Sequence, residues 1–195
     1  MAIRFAKRGY KVSAVDLSRE MLEIAQAKAV AAGVAIEFHQ GNMKDFNNQQ
    51  QYDVIINLHD GLNYLLDESD IQRFMDNTLS LLKSGGVLLF DVVTPLLCQR
   101  HFRGYREIYS DENGGYERFT RFDAQTQLAE SVFTLSTADE NTVEVETHLQ
   151  KAYTLEAVEE FCKLSAYDWW QILDDETLEA ADGESERLWV LLRKS

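Results

Sequence analysis

The sequence predicts an α/β protein with a doubly wound parallel sheet and an antiparallel β insertion. Short apolar runs alternate with amphipathic helical segments over residues 11–95, and repeated β-α-β units of this kind form parallel sheets with right-handed crossovers. From about residue 102 the apolar residues recur at every second position instead, which is typical of antiparallel strands. We expect one domain over residues 1–195, with the insertion at 102–152.

The first strand–helix–strand unit covers residues 11–38. A β-rich run ends on Asp16, and residues 35–38 predict the next strand. Ser18 is expected to cap the intervening helix and Gly33 to end it. An apolar stripe at helical spacing predicts its buried face, formed by Met21, Leu22, Ala25, Ala29 and Ala32.

The second unit begins with three consecutive β-branched residues within 52–57, which predict a strand buried on both faces. Ser69 and Gln72 predict a capping box at the start of the next helix, and Gly85-Gly86 its end. Residues 86–92 predict another buried strand, closed by Pro95. The apolar face of the helix comprises Ile71, Phe74, Met75, Thr78, Leu79 and Leu82.

The insertion is expected to be a meander of three or four strands. Turn-forming residues at 113–115 and 138–141 separate its segments. In the last segment every second residue is charged or polar, and these residues separate Val143, Val145, Thr147 and Leu149. This period of two is typical of a strand.

After the insertion, Thr154 is expected to cap a helix on which Tyr153 packs against Val158. Residues 167–173 and 187–192 predict two closing strands. Their acidic connection is too short for a crossover helix, so we expect the pair to be antiparallel.

Composition excludes several classes of function. The net charge is -14, from 33 acidic and 19 basic residues, and such a chain should repel a nucleic-acid backbone. No run approaches the roughly 18 apolar residues of a membrane span, and no signal peptide is visible. We expect a cytoplasmic protein with reduced thiols at Cys98 and Cys162. No metal is expected, since Cys98 and His101 lack a second ligand pair.

Polar groups follow three successive predicted strands, where ligands bind in open parallel sheets. Asp16 ends the first strand and could accept hydrogen bonds from two ribose hydroxyls. Asn42 and Met43 follow the second, offering an amide for a base edge and an apolar side chain for a ring. Residues 58–64 follow the third. The alternatives are a helix cap for Asp16, core packing for Met43 and an ordinary loop histidine for His59.

Four segments carry a resemblance to a known family. Residues 6–22 closely resemble the second conserved segment of class I S-adenosylmethionine-dependent methyltransferases, and residues 41–46 resemble the third. Residues 52–65 resemble the fourth segment in bacterial small-molecule methyltransferases that have a β-rich insertion. Residues 85–91 resemble the following strand. The likeness is strong to about Pro95 and holds in outline beyond it.

This resemblance implies a Rossmann-like sheet that binds S-adenosylmethionine. Asp16 would hold the ribose, while Leu17 and Met43 would flank the adenine and Asn42 would bond its amino group. The family commonly has Asp in place of Asn42. The implied cofactor-binding residues, with the last two near the methionine end, are Asp16, Leu17, Met21, Asn42, Met43, Leu58 and Asp60. No catalytic residue is assigned.

One departure concerns the glycine-rich loop of the family. That loop precedes the second-strand acid by about 20 residues, which would place it before Met1. We therefore expect these residues to lack the first strand and the loop, and to bind the cofactor weakly by themselves. A start further upstream and a truncation would both explain this.

The predicted function is methyl transfer to a nitrogen or oxygen of a small molecule. The aromatic residues of the insertion would roof the site, or form a homodimer interface or core; they are Tyr105, Tyr109, Tyr116, Phe119 and Phe122. One alternative is a nicotinamide-dependent oxidoreductase, which predicts a parallel C-terminal strand and often a Tyr-x-x-x-Lys pair, absent here. A non-catalytic, truncated binding module is the other.

Overall fold

The computed structural model describes residues 1–112, 114–137 and 143–195. The helices are α1 (Ala2–Lys7), α2 (Arg19–Ala31), α3 (Glu68–Leu81), α4 (Pro95–His101) and α5 (Leu155–Leu164), with a 3-10 turn at Leu62–Tyr64. The strands are β1 (Ser13–Asp16), β2 (Glu37–Gln40), β3 (Tyr52–Asn57), β4 (Leu82–Val93), β5 (Tyr105–Asp111), β6 (Gly114–Asp123), β7 (Leu128–Thr137), β8 (Val143–Lys151), β9 (Trp169–Asp174) and β10 (Arg187–Arg193).

The strands form three sheets within the described residues. β1 and β2 pair in parallel, and β3, β4, β10 and β9 form a mixed sheet in that order. β5 to β8 form an antiparallel meander. The predicted α/β class with its antiparallel insertion is confirmed. β10 runs antiparallel to both β4 and β9, as expected for the closing pair and contrary to what the oxidoreductase alternative predicts.

The main core lies between the mixed sheet and the helices α3 and α5. Phe74 of α3 meets Phe90 of β4 edge to face at 6.1 Å between ring centroids, and both side chains are buried. Tyr167 donates to Thr78 at 3.0 Å, so its hydroxyl is satisfied inside the core. The predicted caps Ser18 and Thr154 are confirmed by hydrogen bonds from Met21 N and Ala157 N.

Two boundary predictions around α3 and β4 were wrong, whereas β4 ends at Val93 just before Pro95, as expected. Asp67 is the N-cap of α3, so Ser69 lies inside the first turn and cannot cap it. Gly85 and Gly86 lie within β4, because their backbone pairs with Lys194 instead of ending a helix: Gly85 N donates to Lys194 O at 2.8 Å and Lys194 N donates to Gly86 O at 3.0 Å. Pro95 begins α4, a helix that the sequence did not predict.

Two predicted buried faces are open to solvent. β3 was expected to be buried on both faces, yet Val54 is 54% exposed. Within the described residues β3 pairs only with β4, so it is an edge strand. Ala29 is the buried residue of α2, and Met21 is exposed, because α2 packs on a sheet of two strands that is too narrow to cover the predicted stripe.

The meander has two faces, which the cross-strand register defines. The inner face comprises Tyr105, Glu107, Tyr109, Tyr116, Arg118, Thr120, Phe122, Ala129, Ser131, Phe133, Leu135, Glu144, Glu146, His148 and Gln150. The outer face includes Val143 and Val145, whose predicted alternation is confirmed but whose side chains are exposed. Residue 113 and residues 138–141 of the predicted turns lie outside the described residues. The homodimer role of the insertion stays a prediction.

Candidate functional site

The carboxyl ends of β1 and β2 lie side by side. Asp16 is the register partner of Gln40, and Gly41 N donates to Asp16 O at 3.0 Å. The Gln40 side chain reaches back to Leu17 O at 3.1 Å. Two of the predicted strand-end segments therefore meet, as parallel pairing requires.

Asp16 stabilises a local turn and keeps unused hydrogen-bond acceptor sites. Its Oδ1 accepts a hydrogen bond from Ser18 N at 2.9 Å, which organises the turn into α2. The side chain is exposed, and a carboxylate has about four lone-pair sites. It can therefore support the turn and still accept hydrogen bonds from a vicinal diol.

The surface beside Asp16 is apolar and open. Leu17 is 66% exposed and Met21 is 54% exposed. Two large apolar side chains next to an acceptor for hydroxyl groups match the chemistry of a nucleoside, whose ring is flat and whose sugar carries a diol. The residues present thus fit the adenosine part of S-adenosylmethionine.

Asn42 and Met43 have structural contacts as well. Asn42 Oδ1 accepts from Lys44 N at 3.2 Å, which occupies one acceptor site of the amide that was predicted to bond adenine. The Asn57 side chain donates to Met43 Sδ at 3.2 Å, and Met43 packs against the main core. Met43 therefore connects the ends of β2 and β3, in keeping with the packing alternative.

The turn after β3 has a strained backbone. His59 and Asp60 both have φ of 63°, a conformation that non-glycine residues rarely adopt and that concentrates at functional sites. Gly61 follows, and a Cβ there would lie 1.9 Å from the Asn57 side-chain oxygen. The predicted site residue Leu58 is half-buried at the start of this turn.

An ion-pair network fixes Asp60. Arg187 of β10 donates through Nη1 to the carboxylates of both Asp60 and Asp91, and Asp60 N donates to Asp91 Oδ1 at 3.2 Å. Burial alone would lower the pKa of Arg187, but the two carboxylates raise it above its usual range. Two carboxylates share one guanidinium, which leaves a net negative charge at the end of β3 and β4. Sequence reasoning missed Asp91 and Arg187 as site residues, although Asp91 is the last residue but one of a predicted strand.

The insertion is attached to the turn after β3 by side-chain hydrogen bonds. The buried Asn63 donates to Val93 O at 3.1 Å and to Lys151 O at 2.7 Å, and accepts from Val93 N at 3.0 Å. Gln150 donates to Asp60 O at 3.2 Å. These contacts hold the inner face of the meander against the strand-end site.

A tyrosine–histidine–glutamate chain lies at this junction. The Tyr64 hydroxyl is 2.9 Å from His148 Nδ1, and His148 Nε2 is 3.3 Å from Glu146 Oε2. Burial, followed by the charge of Asp60, raises the pKa of Tyr64. The structure thus adds His148 to the exposed His59 as a candidate base. Tyr64 lies in the predicted segment 58–64, but sequence reasoning missed His148, because 84 residues separate it from Tyr64.

Four of the five aromatic residues named for the insertion lie on one face of the meander, while their role as a roof stays a prediction. Tyr105, Tyr109, Tyr116 and Phe122 share the inner face with His148, and the rings of Tyr109 and Tyr116 stack at 5.7 Å. The prediction was wrong for Phe119. The alternation along β6 places this residue on the outer face, where it is 43% exposed.

Cys98 and His101 have separate surroundings. Burial first, and then the nearby Asp60, raises the pKa of the Cys98 thiol to about 12, while His101 Nε2 lies 3.1 Å from Glu186. Across the described ranges no three His, Cys, Asp or Glu side chains are grouped so as to hold a metal ion. In those ranges, too, no helix has the length and apolar character to span a membrane.

The fold and the strand-end site define a class I S-adenosylmethionine-dependent methyltransferase. An S-adenosylmethionine-dependent methyltransferase of Clostridium acetobutylicum ATCC 824 superposes with a TM-score of 0.80 at 24% identity, over 95% of this chain and 76% of that one. The sugar N-methyltransferase KedS8 of Streptoalloteichus sp. ATCC 53650 has a TM-score of 0.70 at 18% identity, over 94% of this chain and 71% of that one.

Sequence comparison gives the family. A methyltransferase-domain model matches residues 1–86. A "putative methyltransferase" of Geobacillus sp. (strain WCH70) is 33% identical over 197 aligned positions, which cover 100% of this chain and 80% of that protein. This chain belongs to the S-adenosylmethionine-dependent methyltransferase family.

Proposed function

We propose that this protein methylates a nitrogen or oxygen atom of a small molecule held between the strand-end site and the inner face of the meander. The observation that carries the proposal is the Tyr64–His148 contact, which joins a site-lining turn to the insertion. The architecture shared with a sugar N-methyltransferase supports a small acceptor that bears an amine or hydroxyl group.

The cofactor would lie across the carboxyl ends of β1 to β3. Asp16 would accept hydrogen bonds from the ribose hydroxyls, and Leu17, Met21 and Met43 would contact the adenine. Asn42 would offer the amide for the adenine edge. Leu58 and Asp60 would lie near the methionine end, where the net negative charge left by Asp60, Asp91 and Arg187 favours a cationic group.

When bound, S-adenosylmethionine supplies an electrophilic methyl group on a sulfonium. The acceptor atom would take up this methyl group through its lone pair, and the cofactor would leave as S-adenosylhomocysteine. The acceptor also loses a proton. His148 takes it directly or through the Tyr64 hydroxyl, and Glu146 stabilises the imidazolium.

Two measurements on the purified full-length protein test this function. Calorimetric titration with S-adenosylhomocysteine should give saturable micromolar binding. A continuous assay for S-adenosylhomocysteine release should then respond to some members of a panel of amino sugars, small amines and phenols. A protein that binds no S-adenosylhomocysteine would refute the proposal, whereas a protein that binds it but methylates only a macromolecule would refute the small-molecule acceptor.

A further inference from the structure

Arg118 is the basic residue of an inner face whose other charged residues are Glu107, Glu144 and Glu146. It lies on β6, on the inner face, and its guanidinium carbon is 5.6, 5.9 and 5.4 Å from the ring centroids of Phe102, Tyr105 and Phe133. Three aromatic rings surround the cation and limit its access to water, which strengthens its electrostatic interactions.

Two hydroxyl groups fix the direction of this guanidinium. Its Nε donates to Thr120 Oγ1 at 3.1 Å, and one Nη donates to Ser131 Oγ at 3.3 Å. Both hydroxyl residues are buried and are 2.9 Å from each other. A guanidinium has five N–H donors, so these two bonds leave others for a ligand.

The charge of Arg118 has no carboxylate partner among residues 1–112, 114–137 and 143–195, where no Asp or Glu oxygen lies within 4.0 Å of its nitrogens. Two nearby arginines on the outer face do form ion pairs. Arg106 pairs with Glu117 at 2.7 Å and Arg121 pairs with Glu130 at 2.6 Å. In a chain with 33 acidic and 19 basic residues, a rigidly held cation that forms no ion pair is unusual, the more so because Glu107 is its register partner on β5.

Arg118 is close to the proposed reacting groups. Ser131, which accepts its hydrogen bond, is the register partner of His148. An acceptor molecule with one end on Arg118 can therefore direct a nucleophilic atom toward His148 and Tyr64. The planar fork of a guanidinium matches the two oxygens of a carboxylate or phosphate.

We propose that Arg118 binds an anionic group of the methyl acceptor, a carboxylate or a phosphate, so that the substrate is an anionic amine or hydroxy compound. This inference rests on the proposed function, because it assumes that the acceptor lies under the roof.

The direct test follows the Arg118 Nε–H resonance in ¹⁵N-labelled full-length protein by NMR. Benzoate and inorganic phosphate are the two anionic probes. Benzamide is the uncharged control for benzoate, and sodium chloride is the control for ionic strength. We expect a saturable shift with at least one anion and at least tenfold weaker binding of benzamide. The probe that binds more tightly distinguishes a carboxylate from a phosphate. An Arg118 resonance that neither anion moves beyond the chloride control would overturn the inference.

Variants of Arg118 and Arg121 provide a second test of the inference. When binding is followed instead on the backbone amide resonances of β6, Arg118→Gln should weaken anion binding at least tenfold, and Arg118→Lys should weaken it less. Arg121→Gln is the matched control, since it removes an arginine from the outer face of the same strand and should change binding less than twofold. Equal losses in Arg118→Gln and Arg121→Gln would also overturn the inference. Titration with S-adenosylhomocysteine is scored separately, so a failed anion site with intact binding of that compound leaves the proposed function standing.

Discussion

The hydroxyl of Tyr64 lies 2.9 Å from Nδ1 of His148, with the two ring centroids 5.9 Å apart. Tyr64 belongs to the turn that follows β3, and His148 belongs to the last strand of the insertion. The contact makes the insertion a part of the strand-end site, since it brings a titratable group from one element against a hydroxyl from the other.

Removing the imidazole of His148 should slow methyl transfer without loosening the cofactor. With an acceptor found in the panel, His148→Gln should lower kcat by a factor of about 100 to 10,000, the usual contribution of a positioned base. S-adenosylhomocysteine affinity should stay within twofold. His101→Gln, which removes an exposed imidazole that contacts Glu186 outside the site, is the control and should leave kcat unchanged. Recovery of the His148→Gln rate by added imidazole would support proton transfer; an unaltered kcat in that variant would exclude it.

Asp16→Ala should weaken cofactor binding in the full-length protein. The loss of hydrogen bonds to a charged group costs about 1.5–3 kcal/mol, which corresponds to a roughly 10- to 150-fold higher Kd. Calorimetric titration with S-adenosylhomocysteine measures it. Glu23→Ala removes an exposed carboxylate from α2 and should have little effect. Unchanged affinity in Asp16→Ala would remove Asp16 from the cofactor site.

Arg187→Met should destabilise the fold, because it leaves the carboxylates of Asp60 and Asp91 without their cation. Asp91 is only 4% exposed, and breaking a buried pair from one side costs about 3–5 kcal/mol. Urea denaturation at pH 7 measures the free energy of unfolding. Arg193→Met, on the exposed end of the same strand, should change it by less than about 0.5 kcal/mol. A small effect of Arg187→Met would mean that water screens the network.

Both cysteines should react slowly with thiol reagents in the native protein. Burial raises the pKa of Cys98 and of Cys162 to about 12, so at pH 8 only about one thiol in 10,000 is a thiolate, the reactive form. Ellman's reagent at pH 8 should detect no fast-reacting thiol before denaturation and two afterwards. One thiol that reacts at once in the folded protein would show that its pocket opens.

Local signals predicted much of this fold. Ser18 and Thr154 each accept a hydrogen bond from the backbone N–H three residues further on and so cap a helix. The two faces of a single strand account for the alternation of polar residues with Val143, Val145, Thr147 and Leu149. Such features depend on neighbours in the chain, so the residues alone reveal them. The strand ends at Asp16, Asn42 and Leu58 were found in the same way.

Contacts between distant segments were decided by the tertiary structure. Gly85 and Gly86 pair with Lys194, so a predicted helix end became part of a strand. Val54 and Ile56, two residues apart on one face of β3, are both exposed, so that face lacks the cover that the apolar run predicted. The sequence by itself predicted most of the helices and strands and the strand ends at which polar groups lie, since hydrogen bonding and side-chain periodicity act over a few residues. Only the folded chain brought His148 to Tyr64, Arg187 to Asp60 and three aromatic rings around Arg118, because those contacts depend on sheet register and packing between segments up to 127 residues apart.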